Sequence, residues 1–382
     1  MCSSFGQTFF IALFSTDIRR TFGLSDGELG GVYMISTLAS AATLIAVGKA
    51  VDYVPVAVMA AAVCTGLAIV CLSLTQVNSV IGLGVSLYGL RLFGQGLMTH
   101  TAMTAMGRWY ERERGRAVSI TGLGHQIGEG VFPVVIVSLL SVIAWTHVWQ
   151  GAAAILVFIA LPCIVLLMRV ERLPRNSSAT LANHGVRQYT RREVLQDPTF
   201  WVLCCTTLMP AFIGTSFFFH QQHIGDEKNW SYALIATTFV VMALSNIACA
   251  LLAGMLIDRF SAARLLPFYL LPLCFACLVL YFFNSTSALW VYMVLLGASG
   301  GTSFTLLGSI WPEIYGTKHL GAIRSLVMAG MVFSSALGPG VTGWFIDQGV
   351  SYPDQTLTMA AFCVVGSVLL FITSQRLQAK AA

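Results

Sequence analysis

The chain has 382 residues, of which 57% are hydrophobic and only 10% charged; 21 Lys and Arg stand against 16 Asp and Glu, for a net charge of +5. Soluble domains carry about 25% charged residues, so a water-soluble globular fold of this size is excluded, and the mean hydropathy of +0.79 agrees. The positive balance is not a nucleic-acid footprint, because the basic residues are sorted by loop rather than gathered on one face.

Apolar runs close to the ~20 residues that cross a bilayer as a helix predict twelve spans, at residues 2–16, 28–48, 56–75, 80–104, 116–141, 148–169, 199–221, 231–254, 263–283, 287–310, 321–346 and 356–374. The first run, "CSSFGQTFFIALFS", stops near Ser15. It is short by a turn or more, so either the first helix is half-length or the chain begins inside a longer one; the second reading is favoured. No basic segment or small-residue cleavage site marks a signal peptide. With the N-terminus inside, Arg19, Arg20 and Lys228 fall in outer loops and Arg91 falls within the membrane, while the other seventeen Lys and Arg face inward. Seventeen against three places both termini in the cytoplasm. The polar stretch 170–198 is a cytoplasmic linker between an N-terminal six-helix bundle (1–169) and a C-terminal one (199–382). In "TRREVLQDPTFW", Thr190 is placed to cap a short interfacial helix ahead of the seventh span.

The ten cysteines lie mostly inside apolar runs; Cys274 and Cys277 form a C-x-x-C with no second pair or His cluster beside it, so neither a disulfide framework nor a metal site is expected.

The chain repeats itself. "GKAVDY" at 48–53 and "GMLIDR" at 254–259 are 206 residues apart, and the same ungapped shift carries Gly94 onto Gly300, Gly115 onto Gly321, Ser119 onto Ser325, Gly124 onto Gly330 and Pro133 onto Pro339. Matches concentrated in residues that set backbone geometry mark two six-helix halves, the construction of many carriers, with a solute site between them near the bilayer midplane. Three segments resemble the major facilitator superfamily of secondary transporters. Gly48-x-x-x-Asp52 and Gly254-x-x-x-Asp258-Arg259, with Arg264 beyond, resemble its signature loop and the copy of it in the second half. "RLFGQG", with Arg91, Gly94 and Gly96, resembles the helix 4 motif of proton-coupled members, and "ERERGRAVSI" the start of helix 5. The resemblance implies an all-α membrane protein of twelve helices in two pseudo-symmetric bundles, working by alternating access. It also implies gating roles for Gly48, Asp52, Gly254, Asp258, Arg259 and Arg264: the glycines allow close helix approach, and the carboxylates accept from a helix N-terminus or pair with Arg. The first loop departs from the pattern, with Tyr53 and Val54-Pro55 where basic residues are usual. The fifth span has Phe132-Pro133 in place of the Gly-Pro pair of drug antiporters, which stands instead at Gly338-Pro339.

The ionisable groups inside the apolar runs are the candidate site. Arg91 and Glu129 each lie 19 residues from residue 110, the centre of the loop joining the fourth and fifth spans. In an antiparallel hairpin they share a depth of roughly 16 to 20 Å from one face at 1.5 Å per residue. A charge there costs several kcal/mol and cannot reach water by snorkelling, so it must pair or face a wet path. His125 lies one turn from Glu129 on the same face. Tyr88, Arg91, Gln95 and Thr99 form a polar stripe on the fourth span; Gln7 and Thr8 add polar groups on the first, and His220 on the seventh. The repeat maps Arg91 to Gly297, His125 to Met331 and Glu129 to Ser335, so the scaffold is mirrored and the charges are not. The reading is that Arg91 holds an anionic solute, or keeps Glu129 ionised, with Tyr88, Gln95, Gln7 and His220 adding solute contacts. Glu129 carries the proton and His125 relays it. A static Arg91–Glu129 brace is the structural alternative, and Glu313 is expected to pair with a loop arginine. The expected function is proton-coupled symport of a small organic anion such as a monocarboxylate, by a monomer in a bacterial inner membrane, with solute, protons and the lipid bilayer as its partners and no nucleic acid. Proton-driven drug efflux is the alternative, and a non-transporting membrane sensor the remote one. No nucleotide loop, metal-ligand spacing or nucleophile–base set suggests an enzyme, a metal or a cofactor.

Overall fold

The computed structural model describes residues 1–47, 54–102, 105, 114–168, 188–316 and 320–381; Gly48 and Asp52 lie outside them, and Asp258 is described by its helical backbone alone. The described residues are nearly all helical. Among the described residues, nine helices are long and apolar enough to cross a membrane: Val56–Leu74, Val80–Ala102, Trp145–Leu167, Pro198–Lys228, Tyr232–Ile257, Ala262–Phe282, Thr286–Tyr315, Leu326–Asp347 and Tyr352–Ala379. Their long hydrophobic side chains face outward in number, with Ile81 83% exposed, Leu167 80% and Phe158 77%. In water such a surface would drive aggregation; in lipid it is the expected coat.

The three other expected spans are each helical in a particular way. Of the expected span 28–48, residues 28–47 fall in a helix over Asp26–Val47, rich in Gly, Ser and Thr. Residues 116–141 fall in Arg114–Leu140, of which Gly124–Leu140 is the apolar part. The first run is broken: a 3-10 turn over Cys2–Gly6, an α-helical turn over Thr8–Ile11, a second 3-10 turn over Ala12–Phe14, and a helix over Ser15–Phe22. The break sits at Gln7, whose backbone is extended (φ −85°, ψ 152°). A helical interruption in the hydrocarbon region leaves backbone carbonyls without partners, and another part of the protein must satisfy them.

The repeat is legible in the helix boundaries. Shifting Val56 and Val80 by 206 residues gives Ala262 and Thr286, the observed first residues of the corresponding helices. Pro133 and Pro339 both sit inside helices.

The chain divides into two compact units. One comprises Met1–Ala179 with Phe218–Gln222 and Pro339–Asp347; the other comprises Thr180–Phe217, His223–Gly338 and Gln348–Ala382. Aromatic rings fill the first around Trp149, with Phe10 at 5.3 Å and Phe14 at 5.1 Å between centroids. In the second, Gly297 and Gly301 bring their helix onto the carbonyls of Met242 and Asn246. Thr190 does cap a short helix, Arg191–Gln196, in a full capping box with Glu193. That segment is tied to the end of the Thr286–Tyr315 helix: Tyr315 donates its hydroxyl to Asp197 at 2.9 Å, and the Tyr189 N–H donates to the Tyr315 carbonyl at 3.1 Å.

Two local expectations are corrected here. Glu313 does not pair with an arginine among the described residues; it accepts the backbone N–H groups of Ala262 (2.9 Å) and Ala263 (3.2 Å), where the unpaired donors of a helix start favour a carboxylate. Gly254 does not mediate a close approach: a methyl group placed there would meet only Thr305 Cγ2 at 3.9 Å. Arg259 and Arg264 are exposed, and Arg259 lies over the neighbouring Phe260 ring at 5.2 Å.

Candidate functional site

The site is organised by the break in the first run. Gly6 and Gly94 meet backbone to backbone, so that a methyl group on Gly94 would lie 2.5 Å from the Gly6 Cα and one on Gly6 would strike the Leu90 carbonyl. Only glycine at both places permits this approach. The helix carrying Gly94 is itself altered there: Leu90–Met98 is wound as a π-helix, a rare form that recurs at functional sites. The crossing brings the Arg91 guanidinium against the unsatisfied end of the broken helix. Its Nη1 donates to the Gly6 carbonyl at 3.2 Å and to Thr8 Oγ1 at 3.1 Å. Thr8 Oγ1 also shares a 2.7 Å hydrogen bond with the Tyr33 hydroxyl, and the Arg91 Cζ lies 5.4 Å from the Tyr33 ring centroid, within reach of a cation–π attraction.

Arg91 is 1% exposed. Among the described residues no carboxylate forms an ion pair with it, and Glu129 makes neither an ion pair nor a side-chain hydrogen bond. The static Arg91–Glu129 brace is therefore not the arrangement in this structure. Two Arg91 nitrogens, Nε and Nη2, have no hydrogen-bond partner. Those two N–H groups lie on one edge of the planar guanidinium and point the same way, which is the fork that binds a carboxylate through both oxygens. A buried cation with one edge satisfied by a carbonyl and a hydroxyl, and the other edge bare, is incomplete: an unpaired buried charge costs several kcal/mol.

The other candidates divide by position. Gln95 lies beside the Gly6–Gly94 crossing, its backbone N 2.9 Å from where a Gly6 methyl would be, and Gln7 is the residue of the break itself. Both are partly buried, and neither side-chain amide makes a hydrogen bond among the described residues, so both are free to meet a solute. The Arg114–Leu140 helix packs on the same broken segment. Gly128 faces Ser4 Oγ, Phe132 packs on Phe5 at 5.5 Å, and the His125 ring lies 5.7 Å from Phe9. His125 Nδ1 is buried and without a partner, and Glu129 is partly buried one turn further along. Residues 4–9 thus touch both the helix that carries the fixed cation and the helix that carries the candidate proton carriers. Tyr88 is engaged elsewhere: it donates to Thr43 at 3.0 Å and packs against the apolar cluster of Met59, Val63, Leu92 and Leu97. His220 contacts Pro339 and Asp26.

Sequence reasoning missed Tyr33, the extended Gln7 backbone and the π-helical stretch. Tyr33 carried a signal, as a lone aromatic hydroxyl in a Gly- and Ser-rich span; the other two have none in residue type alone.

Comparison with known proteins places this geometry. The sequence profile of the Major Facilitator Superfamily matches residues 1–225 and again 211–381, and the chain belongs to that family. It is 22% identical over 364 residues to an oxalate:formate antiporter of Oxalobacter formigenes, covering 90% of this chain and 84% of that protein. It is 23% identical to a phosphoglycerate transporter protein of Salmonella typhimurium and 26% identical to monocarboxylate transporter 11 of Homo sapiens, spanning only 61% and 60% of their lengths. Among solved structures it is similar to a bacterial homologue of the human lysosomal transporter Spinster in an inward-facing, unoccupied conformation, with a TM-score of 0.72 and 18% identity over 98% of this chain and 94% of that one. It is also similar to the nucleoside transporter NupG, with a TM-score of 0.69 and 14% identity over 97% of each chain. At these identities the structural likeness speaks for the fold.

Proposed function

We propose that this Major Facilitator Superfamily member carries a small organic anion with a carboxylate group, which binds by both oxygens to the Nε and Nη2 edge of Arg91. The observation behind this reading is the buried guanidinium with no carboxylate paired to it among the described residues and one donor edge unused. A solute carboxylate supplies the missing charge and both missing acceptors, whereas a sugar or a neutral amphiphile supplies no charge. The names of the sequence relatives agree in chemistry: oxalate, formate, phosphoglycerate and monocarboxylates all bear a carboxylate. Gln95 and Gln7 offer neutral donors and acceptors for the rest of a small solute, with Tyr88 and His220 outside the immediate contact.

Coupling to protons rests on Glu129 and His125. Glu129 has no protein counter-charge among the described residues, so its ionisation answers to solvent and solute access. Twelve spans in two six-helix bundles, both termini in the cytoplasm, a monomer and a bacterial inner membrane complete the reading, with Gly48, Asp52, Gly254, Asp258, Arg259 and Arg264 at the gating loops. Uptake into proteoliposomes tests it. A radiolabelled monocarboxylate should accumulate when the outside is made acidic, and Glu129→Gln should abolish the response to the pH gradient while leaving exchange of internal for external solute. Accumulation of the labelled acid that is indifferent to Arg91→Met would overturn the assignment.

A further inference from the structure

Away from Arg91, one fully buried imidazole faces two acceptors at once. His220, 1% exposed, has its Nε2 3.0 Å from the Pro339 carbonyl and its Nδ1 3.5 Å from Asp26 Oδ1. A carbonyl oxygen only accepts, so Nε2 carries a hydrogen. In a neutral ring that leaves a lone pair on Nδ1 directed at a carboxylate oxygen, which is repulsive. Protonating Asp26 does not relieve this, because its other oxygen, Oδ2, is held by the Arg19 guanidinium, which favours the ionised carboxylate. The arrangement that suits both of these partners is the imidazolium, donating to Pro339 and attracted to Asp26.

From this geometry we infer that His220 is a proton-binding latch, distinct from Glu129: with the proton bound it holds together the start of the Asp26–Val47 helix, residues 218–222 and the segment from Pro339 to Asp347, and on losing the proton it releases them. All three pieces lie in one compact unit. The hydrogen bonds around the latch are of a kind that a small push can undo. Gln222 Oε1 accepts from Ser15 Oγ at 3.1 Å and from the Thr16 N–H at 3.0 Å, and Asp347 accepts from Ser25 Oγ at 2.7 Å and from the Gly27 N–H at 3.0 Å. The sign is fixed by the partners: the contact is attractive with the ring protonated and repulsive with it neutral.

Among the described residues, each packed element carries charged groups, with Asp226 one of those on His220's own helix. The Ser15–Phe22 helix contributes Asp17, Arg19 and Arg20, of which Arg19 reaches the site through Asp26. The Asp26–Val47 helix contributes Asp26 and Glu28, and Glu28 accepts the Ser25 N–H at 2.8 Å. The Leu320–Asp347 helix contributes Asp347. On His220's own helix, His223 pairs with Glu227 at 3.3 Å and Lys228 donates to Asn284. His223 is the one other imidazole in this set, so it serves as the control.

The test is hydrogen–deuterium exchange of the full chain in detergent without solute, at about pH 5.5 and pH 8, either side of the ordinary histidine value near 6.5, corrected for intrinsic exchange. In the wild type, peptides covering residues 15–30 and 339–350 should exchange roughly 10- to 150-fold faster at the higher pH, the scale of one hydrogen bond to a charged group at about 1.4 kcal/mol per factor of ten. His220→Gln should remove that step, with the peptides exchanging at one rate at both pH values. Asp26→Asn should remove it too, because the repulsion that punishes the neutral ring is gone. His223→Gln should keep it. No step in the wild type, or a full step in His220→Gln or in Asp26→Asn, would overturn the proposal. Because no solute is present, its failure leaves the Arg91 reading standing, and failure of that reading leaves the latch standing.

Discussion

Replacing Arg91 should change solute recognition more than it changes folding, and the two effects can be worked from the structure. In the solute-free protein the guanidinium makes two hydrogen bonds, to Gly6 and Thr8, and leaves two donors bare. A hydrogen bond to a charged group contributes about 1.5–3 kcal/mol, so a carboxylate on the bare edge gains about 3–6 kcal/mol before ordering costs. Arg91→Lys keeps the charge but not the fork. Losing one of the two charge-assisted bonds weakens carboxylate binding by roughly 10- to 150-fold, at about 1.4 kcal/mol per factor of ten. Arg91→Met removes the charge, and carboxylate binding with it. Its solute-free stability should be equal or higher, because a buried ionic group replaced by an apolar one of similar size often costs nothing. Thermal unfolding of the purified protein reads both. Acetate at about 100 times its Kd stabilises by about 2.7 kcal/mol, and acetamide, the same shape without the charge, should give no shift. If acetamide stabilises as well as acetate, or if Arg91→Met keeps the acetate shift, the reasoning fails.

Three further outcomes follow from the packing. Gly94→Ala should destabilise by about 1–3 kcal/mol, because its new methyl group would lie 2.5 Å from the Gly6 Cα where neither backbone can yield, and a fall in melting temperature checks it. Gly254→Ala, with Thr305 Cγ2 at 3.9 Å, should leave the melting temperature unchanged or slightly raised, as Ala is the better helix former. Thr190→Ala breaks the capping box and should cost the Arg191–Gln196 helix about 1 kcal/mol, seen as faster amide exchange confined to that segment.

What could be read from residue order alone was what periodicity and composition encode. The apolar runs marked the membrane helices because each must hold about 20 residues of hydrocarbon-compatible side chain. The 206-residue shift carries the observed helix starts at Val56 and Val80 onto those at Ala262 and Thr286, one residue before the 263 and 287 read from the apolar runs, because matched Gly and Pro residues impose matched backbone. Arg91 stood out because a lone cation in an apolar run demands an explanation. Its partners did not stand out: a carbonyl from a helix break, a threonine and a tyrosine ring are ordinary residues made special by where the backbone turns. The hairpin argument paired Arg91 with Glu129 by depth, but depth alone does not fix azimuth, and Arg91 is engaged by Gly6 and Thr8 instead. Glu313 failed for a related reason: counting charges suggests an arginine, whereas the nearest unsatisfied donors were the backbone N–H groups of a helix start.

The claim on which the rest depends is that the bare edge of Arg91 is where the solute's carboxylate binds. A crystal structure with a brominated monocarboxylate, located by the anomalous signal of its bromine, tests this most directly. The account predicts one carboxylate with an oxygen within hydrogen-bond distance of Nε and the other within reach of Nη2, absent in Arg91→Met. A bound acid seated elsewhere, with both nitrogens still without partners, would contradict it.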